Sequence, residues 1–168
     1  MDHLHPMPTE RLQTLVDTLK RLADESFAMP EPPAKWLISS KRRNLPPADG
    51  SCLFRYLIYY YDQIAAYRDD VYVAMWSAHG VKGHTWNALD QLIQGGALTF
   101  GDLYEKVKGR GITEQVHTAD VKELVGRGWA EESSGVVKAT EAGKQVRAEV
   151  EAEADQHFFA PWSSLNES

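Results

Sequence analysis

Little in this sequence points to covalent, redox or metal chemistry. A single cysteine, Cys52, stands among 168 residues, so no intrachain disulfide can form and a thiolate metal site has too few ligands. At the start of a helix this thiol has the setting of a redox sensor, although a structural cysteine is the plainer reading. The histidines (His3, His5, His79, His84, His117 and His157) are scattered, and none sits at metal-site spacing from a second ligand on one helix face. There is no phosphate-binding glycine loop, no nucleophile elbow and no zinc-protease helix. Asp69 and Asp70 are adjacent, so on a helix they point about 100° apart and make a poor acid–base pair. No catalytic residue, metal or cofactor is therefore expected. No apolar run is long enough to span a bilayer. The opening "MDHLHPMPTERL" lacks the charged-then-apolar pattern of a secretion signal. The expectation is a cytoplasmic protein with no membrane contact. An excess of positive charge is also missing. The formal net charge is −6, so a polyanion would have to be met by a local patch.

What the chain does have is helical amphipathicity. From Thr9 to Phe27, Leu12, Leu15, Val16, Leu19 and Leu22 recur at helical spacing, with Thr9 as the expected N-cap. Pro30, Pro32 and Pro33 then exclude helix. Residues 30–49 read as an extended arm with a basic cluster (Lys41, Arg42 and Arg43) and a short helix near Trp36 to Ser40. A long helix is predicted from about Ser51 to His79, and it carries two apolar stripes. One is Leu53, Leu57, Tyr60, Ile64, Tyr67, Val71 and Met75. The other is Phe54, Ile58, Tyr61, Ala65, Tyr72 and Trp76. An ordinary surface helix buries one stripe, so this one needs cover on two sides, from its own domain or from a second copy of the chain.

Three shorter helices follow. One covers Thr85 to Gln94. The second opens at Thr99 with Asp102 three residues on, a capping-box start. The third opens at Thr113 and closes at Gly126 and Gly128. Trp129 to Glu132 and Val136 to Ala139 then read as two strands joined across Ser133-Ser134-Gly135. A last helix runs from Thr140 to Pro161. Two strands this short cannot stand alone; folded against three small helices, with Trp129 as anchor, they cover the open edge of the core. That order is the winged helix-turn-helix plan. The predicted fold is mostly α, with a small β-hairpin wing and long flanking helices. Residues 1–48 form an N-terminal helix and arm, and residues 49–168 a winged-helix domain with dimerisation helices.

From Thr85 to Gly143 the sequence resembles the MarR-type winged-helix transcriptional regulators. The phrases that carry the resemblance are "WNALDQLIQGGALTFGDLYEKV", "VKELVGRGWAEE" and "KATEAGKQV". Leu124-Val125-Gly126-Arg127-Gly128-Trp129 matches the phrase that ends that family's recognition helix. Ala139-Thr140-Glu141-Ala142-Gly143 matches the one that opens the helix after the wing. A looser likeness extends over residues 51–157, and the ending "EAEADQHFFAPWSSL" resembles uncharacterised bacterial winged-helix proteins. The resemblance implies a homodimer built from the long helices, double-stranded DNA as partner, and a small aromatic effector bound between the long helix and the winged helix. Tyr60, Tyr61, Trp76 and Trp86 would line that pocket, with Arg55 or Arg68 pairing an effector carboxylate. A core or dimer interface is the plainer role for the same aromatic residues.

On the third short helix, His117, Val121 and Leu124 share one side, which should face the core. Gln115, Thr118, Ala119 and Lys122 lie opposite. Gln can pair with adenine, Lys with guanine or phosphate, and Ala or Thr methyl groups can touch thymine. Lys108, Arg110 and Lys138, with Lys41, Arg42 and Arg43 on the arm, are candidates to hold phosphates. Glu114, Asp120 and Glu123 on the same helix would repel them, and the wing is short, with Glu131 and Glu132 beside its tip. The expected function is a DNA-binding regulator. The alternative is a winged helix turned to protein contact or dimerisation.

Overall fold

The computed structural model describes residues 7–29 and 46–167; the basic cluster Lys41–Arg43, the short helix expected near Trp36, and His3 and His5 lie outside them. Its elements, in order, are α1 (Thr9–Ala28), α2 (Leu53–Ser77), α3 (Gly83–Gly95), β1 (Leu98–Thr99), α4 (Phe100–Glu105), a 3-10 turn (Lys108–Arg110), α5 (Glu114–Gly126), β2 (Ala130–Ser133), β3 (Val136–Ala139), α6 (Glu141–Phe159) and a second 3-10 turn (Ala160–Glu167). The chain divides into two compact units, one of Met1–Ala74 with Ala154–Ser168 and one of Met75–Glu153.

In the first unit α1 starts after Pro8 without a side-chain cap, so Thr9 is the first helical residue rather than the N-cap. Pro8 suits that place, since its carbonyl still accepts from the Leu12 amide at 3.0 Å. Val16, Leu22 and Ala23 of α1 are buried, as are Ile64, Ala66, Tyr67, Val71 and Ala74 of α2. The tail closes this core. Phe158 lies 6.2 Å from the Tyr67 ring and 5.7 Å from Trp162, while Arg68 faces Asp155 at 3.8 Å. The two stripes of α2 meet different fates. Ile64, Tyr67 and Val71 of the first are buried. In the second, Phe54, Ile58 and Tyr61 remain 59%, 47% and 63% exposed, beside Leu15 and Leu19 in an apolar groove between α1 and α2.

The second unit is a three-helix core closed by a sheet. Trp86, Leu89 and Leu92 of α3, Leu103 of α4, and Val121 and Leu124 of α5 are buried together with Ala130, Val137, Val146 and Val150. The hairpin registers Ser133 against Val136 and Ala130 against Ala139. Its two-residue turn has positive φ at both Ser134 and Gly135, 53° and 78°, the type I′ geometry that matches strand twist. The sheet has three strands rather than the expected two, in the order β1-β3-β2, because Leu98 and Thr99 pair with Val137 and Val136. α3 also starts two residues earlier than expected, and α4 is short, giving way to a 3-10 turn before Gly111 at φ 77°. This is a mostly helical winged helix-turn-helix.

Trp129 joins wing to core. Its ring packs edge-on against Trp86 at 6.4 Å and His79 at 6.1 Å. Its backbone amide donates to Leu124 O, and its carbonyl accepts from the Thr140 amide at 3.0 Å. Thr140 caps α6, its hydroxyl accepting from the Gly143 amide at 3.1 Å and donating to Gly128 O at 2.6 Å. So close is this turn that a Cβ on Gly143 would sit 2.1 Å from Trp129 O.

Candidate nucleic-acid interface

α5 forms because Thr113 caps it, the hydroxyl accepting from the Val116 amide at 3.3 Å. Its rotation is fixed by burial. His117, Val121 and Leu124 are at most 1% exposed, so the opposite side is turned to solvent. There Gln115, Ala119 and Lys122 are exposed and Thr118 half-buried. Together with Glu114 they line one shallow surface. The structure thus gathers all four reading-face residues expected from the sequence.

The acidic residues of α5 are disposed more favourably than their number suggests. Asp120 is 4% exposed and points away from that surface. Its Oδ2 lies 2.6 Å from His84 Nδ1, and its Oδ1 accepts from the Thr85 hydroxyl at 3.0 Å. Glu123 accepts from Thr85 and, through Oε1, from Arg127 Nε at 3.0 Å. The Arg127 guanidinium goes on to donate to the His79 and Gly80 carbonyls, both at 3.0 Å, and lies over the Trp129 ring at 5.2 Å. Of the acidic residues of α5 expected to repel phosphate, Glu114 alone stays exposed. Sequence reasoning missed this network because His84 and Thr85 lie some 35 residues from Asp120; only the Glu123–Arg127 spacing of four was readable.

The cations differ in readiness. Arg110 and Lys122 are exposed and make no ion pair among the described residues. Lys108 is held by Glu105, and Lys138 by Glu131 at 2.9 Å; the Glu131 carboxylate, through its hydrogen bond and its charge, raises the Lys138 pKa. His117 is packed near Tyr104, ring centroids 6.3 Å apart, and neither ring nitrogen has a hydrogen-bond partner among the described residues. Burial lowers its pKa below the ordinary 6.5, with Asp120 acting in the opposite sense.

The profile of a helix-turn-helix family matches residues 65–168. The chain belongs to that helix-turn-helix family. Comparison with curated proteins and with solved structures found no match. A helix-turn-helix domain suggests DNA binding or regulation in general.

The residues expected around an effector divide between the two units. Tyr61 lines the Leu15–Phe54 groove of the first unit, and Tyr60 a separate one with Val16, Lys20 and Tyr56. Arg68 faces Asp155 in that unit. In the second unit Trp86 is 3% exposed against Trp129, and Trp76 lies beside Gly83. Cys52 is exposed rather than structural. Among the described residues no group of three or more acidic, histidine or cysteine side chains is placed to hold a metal ion, and no helix is long and apolar enough to cross a membrane.

Proposed function

We propose that this helix-turn-helix protein is a transcriptional regulator of MarR type that binds double-stranded DNA as a homodimer and has no enzymatic activity of its own. The observation that carries the reading is the outward side of α5: Gln115, Thr118, Ala119 and Lys122 stand together while Asp120 and Glu123 are engaged elsewhere. Gln115 suits adenine and Lys122 guanine or phosphate; Arg110 holds the backbone, with Lys108 and Lys138 recruited by exchange of their carboxylate partners. The dimer uses Phe54, Ile58 and Tyr61, exposed on α2 at the four-three spacing of a coiled-coil seam. It sets two reading helices one DNA turn apart, ~34 Å. A small aromatic effector with an acidic group would sit in the groove beside Tyr60, taking the place of Asp24 on Lys20, which that carboxylate holds at 2.6 Å. By changing the helix spacing it would release DNA.

Selection of bound sequences from random DNA, at low and at physiological salt, tests the proposal. Enrichment at low salt is expected, and Lys122→Glu should abolish it with an unchanged melting temperature. Absence of enrichment at low salt removes the regulator reading. A second reading, a protein-interaction module, is favoured by the wing, where Glu131 occupies Lys138 and Glu132 is exposed. It expects no DNA selection and no effect of Lys122→Glu.

A further inference from the structure

α4 and α5 open in the same way and differ at one position. At α4 the Thr99 hydroxyl accepts from the Asp102 amide at 3.1 Å, and the Asp102 carboxylate accepts in return from the Thr99 amide at 3.1 Å. Both halves of the capping box are present. At α5 the Thr113 hydroxyl accepts from the Val116 amide, but valine has no acceptor to offer the Thr113 amide, and the box stays half made. Valine is also a weaker helix former than glutamate or glutamine. Nor is it there to fill the core, since Val116 is 43% exposed. Among the described residues of the Met75–Glu153 unit, Val136 is the one other large apolar side chain exposed to more than about a third. Capping, propensity and solvation all favour a polar residue at position 116. Departures from local consistency of this kind concentrate at functional positions.

Ala119 follows one turn later, so the two apolar side chains are neighbours on the helix surface, next to Gln115. We infer that Val116 and Ala119 together read the 5-methyl group of thymine in the major groove. That methyl is the one apolar feature on a base edge there, and covering it with valine is worth roughly a threefold to fivefold gain in affinity at the usual value of a buried methyl group. The inference rests on the proposed DNA binding and adds a specificity-determining residue to it.

The test starts from a duplex enriched by the protein out of random DNA. Each thymine is replaced in turn by deoxyuridine, which lacks only the methyl. Wild type should bind at least about threefold more weakly when one or two particular thymines are replaced. Val116→Ala, which keeps Ala119, should show a clearly smaller difference between the two duplexes, with a melting temperature no lower than wild type. Val116→Gln, which completes the capping box, should melt higher and bind worse. Equal wild-type binding to every uracil duplex overturns the inference, as does a Val116→Ala protein that keeps the discrimination or melts lower, since the valine would then be structural. Failure of the first selection overturns the DNA-binding reading itself, so the two failures are told apart.

Discussion

Replacement of Gly143 by alanine tests how the wing, α5 and α6 are fastened together. Gly143 lies in the first turn of α6 at ordinary helical φ, so helix propensity alone favours alanine by about 0.8–1.0 kcal/mol. Against this stands the Trp129 carbonyl, 2.1 Å from the added Cβ, with Trp129 C at 2.9 Å. Side-chain Cβ atoms essentially never come closer than 3.0 Å to a neighbour, so helix and wing must part by about 0.9 Å. Neither side is a flexible side chain that can swing away. The shift also strains the Thr140 amide bond to Trp129 O and the Thr140 hydroxyl bonds to Gly143 and Gly128. Overpacking of this kind costs about 1–3 kcal/mol, and each weakened hydrogen bond about 1 kcal/mol more. The net expectation is a loss of about 3–5 kcal/mol, a melting temperature lower by roughly 6–20 °C for a chain of this size. Thermal and urea unfolding measure it. Gly126→Ala is the matched control: nothing lies within 4 Å of its Cβ, and stability should be unchanged or rise by up to about 0.8 kcal/mol. A Gly143→Ala protein as stable as wild type would refute the packing argument.

Glu131→Gln should free Lys138 for phosphate, tightening DNA binding and steepening its dependence on log salt concentration by about 0.9; binding measured at several salt concentrations would show an unchanged slope if the wing takes no part. His117 gives a pH dependence. Because its folded pKa lies below the ordinary 6.5, the unfolded chain takes up a proton below that pH that the folded chain refuses, and stability falls as pH drops from about 6.5 towards the folded value. His117→Leu should leave stability at pH 7 equal or higher and make the pH profile flatter over that range, as followed by urea unfolding. Ile58→Glu should leave the fold intact and give a monomer by analytical ultracentrifugation; an unchanged oligomeric state would move the dimer seam elsewhere.

The rotation of α5 was legible in the sequence because three buried residues, His117, Val121 and Leu124, fall on one helical side and Lys122 on the other. Thr99, Asp102 and Thr113 were legible as caps for the same reason, since capping is local. Strand β1 was not, because two residues show no alternation and their partners Val136 and Val137 lie nearly forty positions on. Nor was the burial of Asp120, which depends on His84 and Thr85 arriving from α3. The surroundings of the aromatic residues were not legible either. Tyr60 and Tyr61 are neighbours in sequence but line different grooves, as successive residues on a helix must, and Trp86, an attractive ring for a ligand, is already occupied by Trp129.

The unequal caps of the two helices carry a consequence for breathing motions. At α4 the amides of Thr99 and Asp102 are both held by the capping box, whereas at α5 the box holds the Val116 amide and leaves that of Thr113 without its carboxylate. Local opening should therefore begin at the N-terminal turn of α5, and the amide of Thr113 should exchange with deuterium sooner than that of Thr99. The end of the helix that offers Gln115 to solvent is the less firmly tied end, so a partner seated there would slow exchange most at that turn.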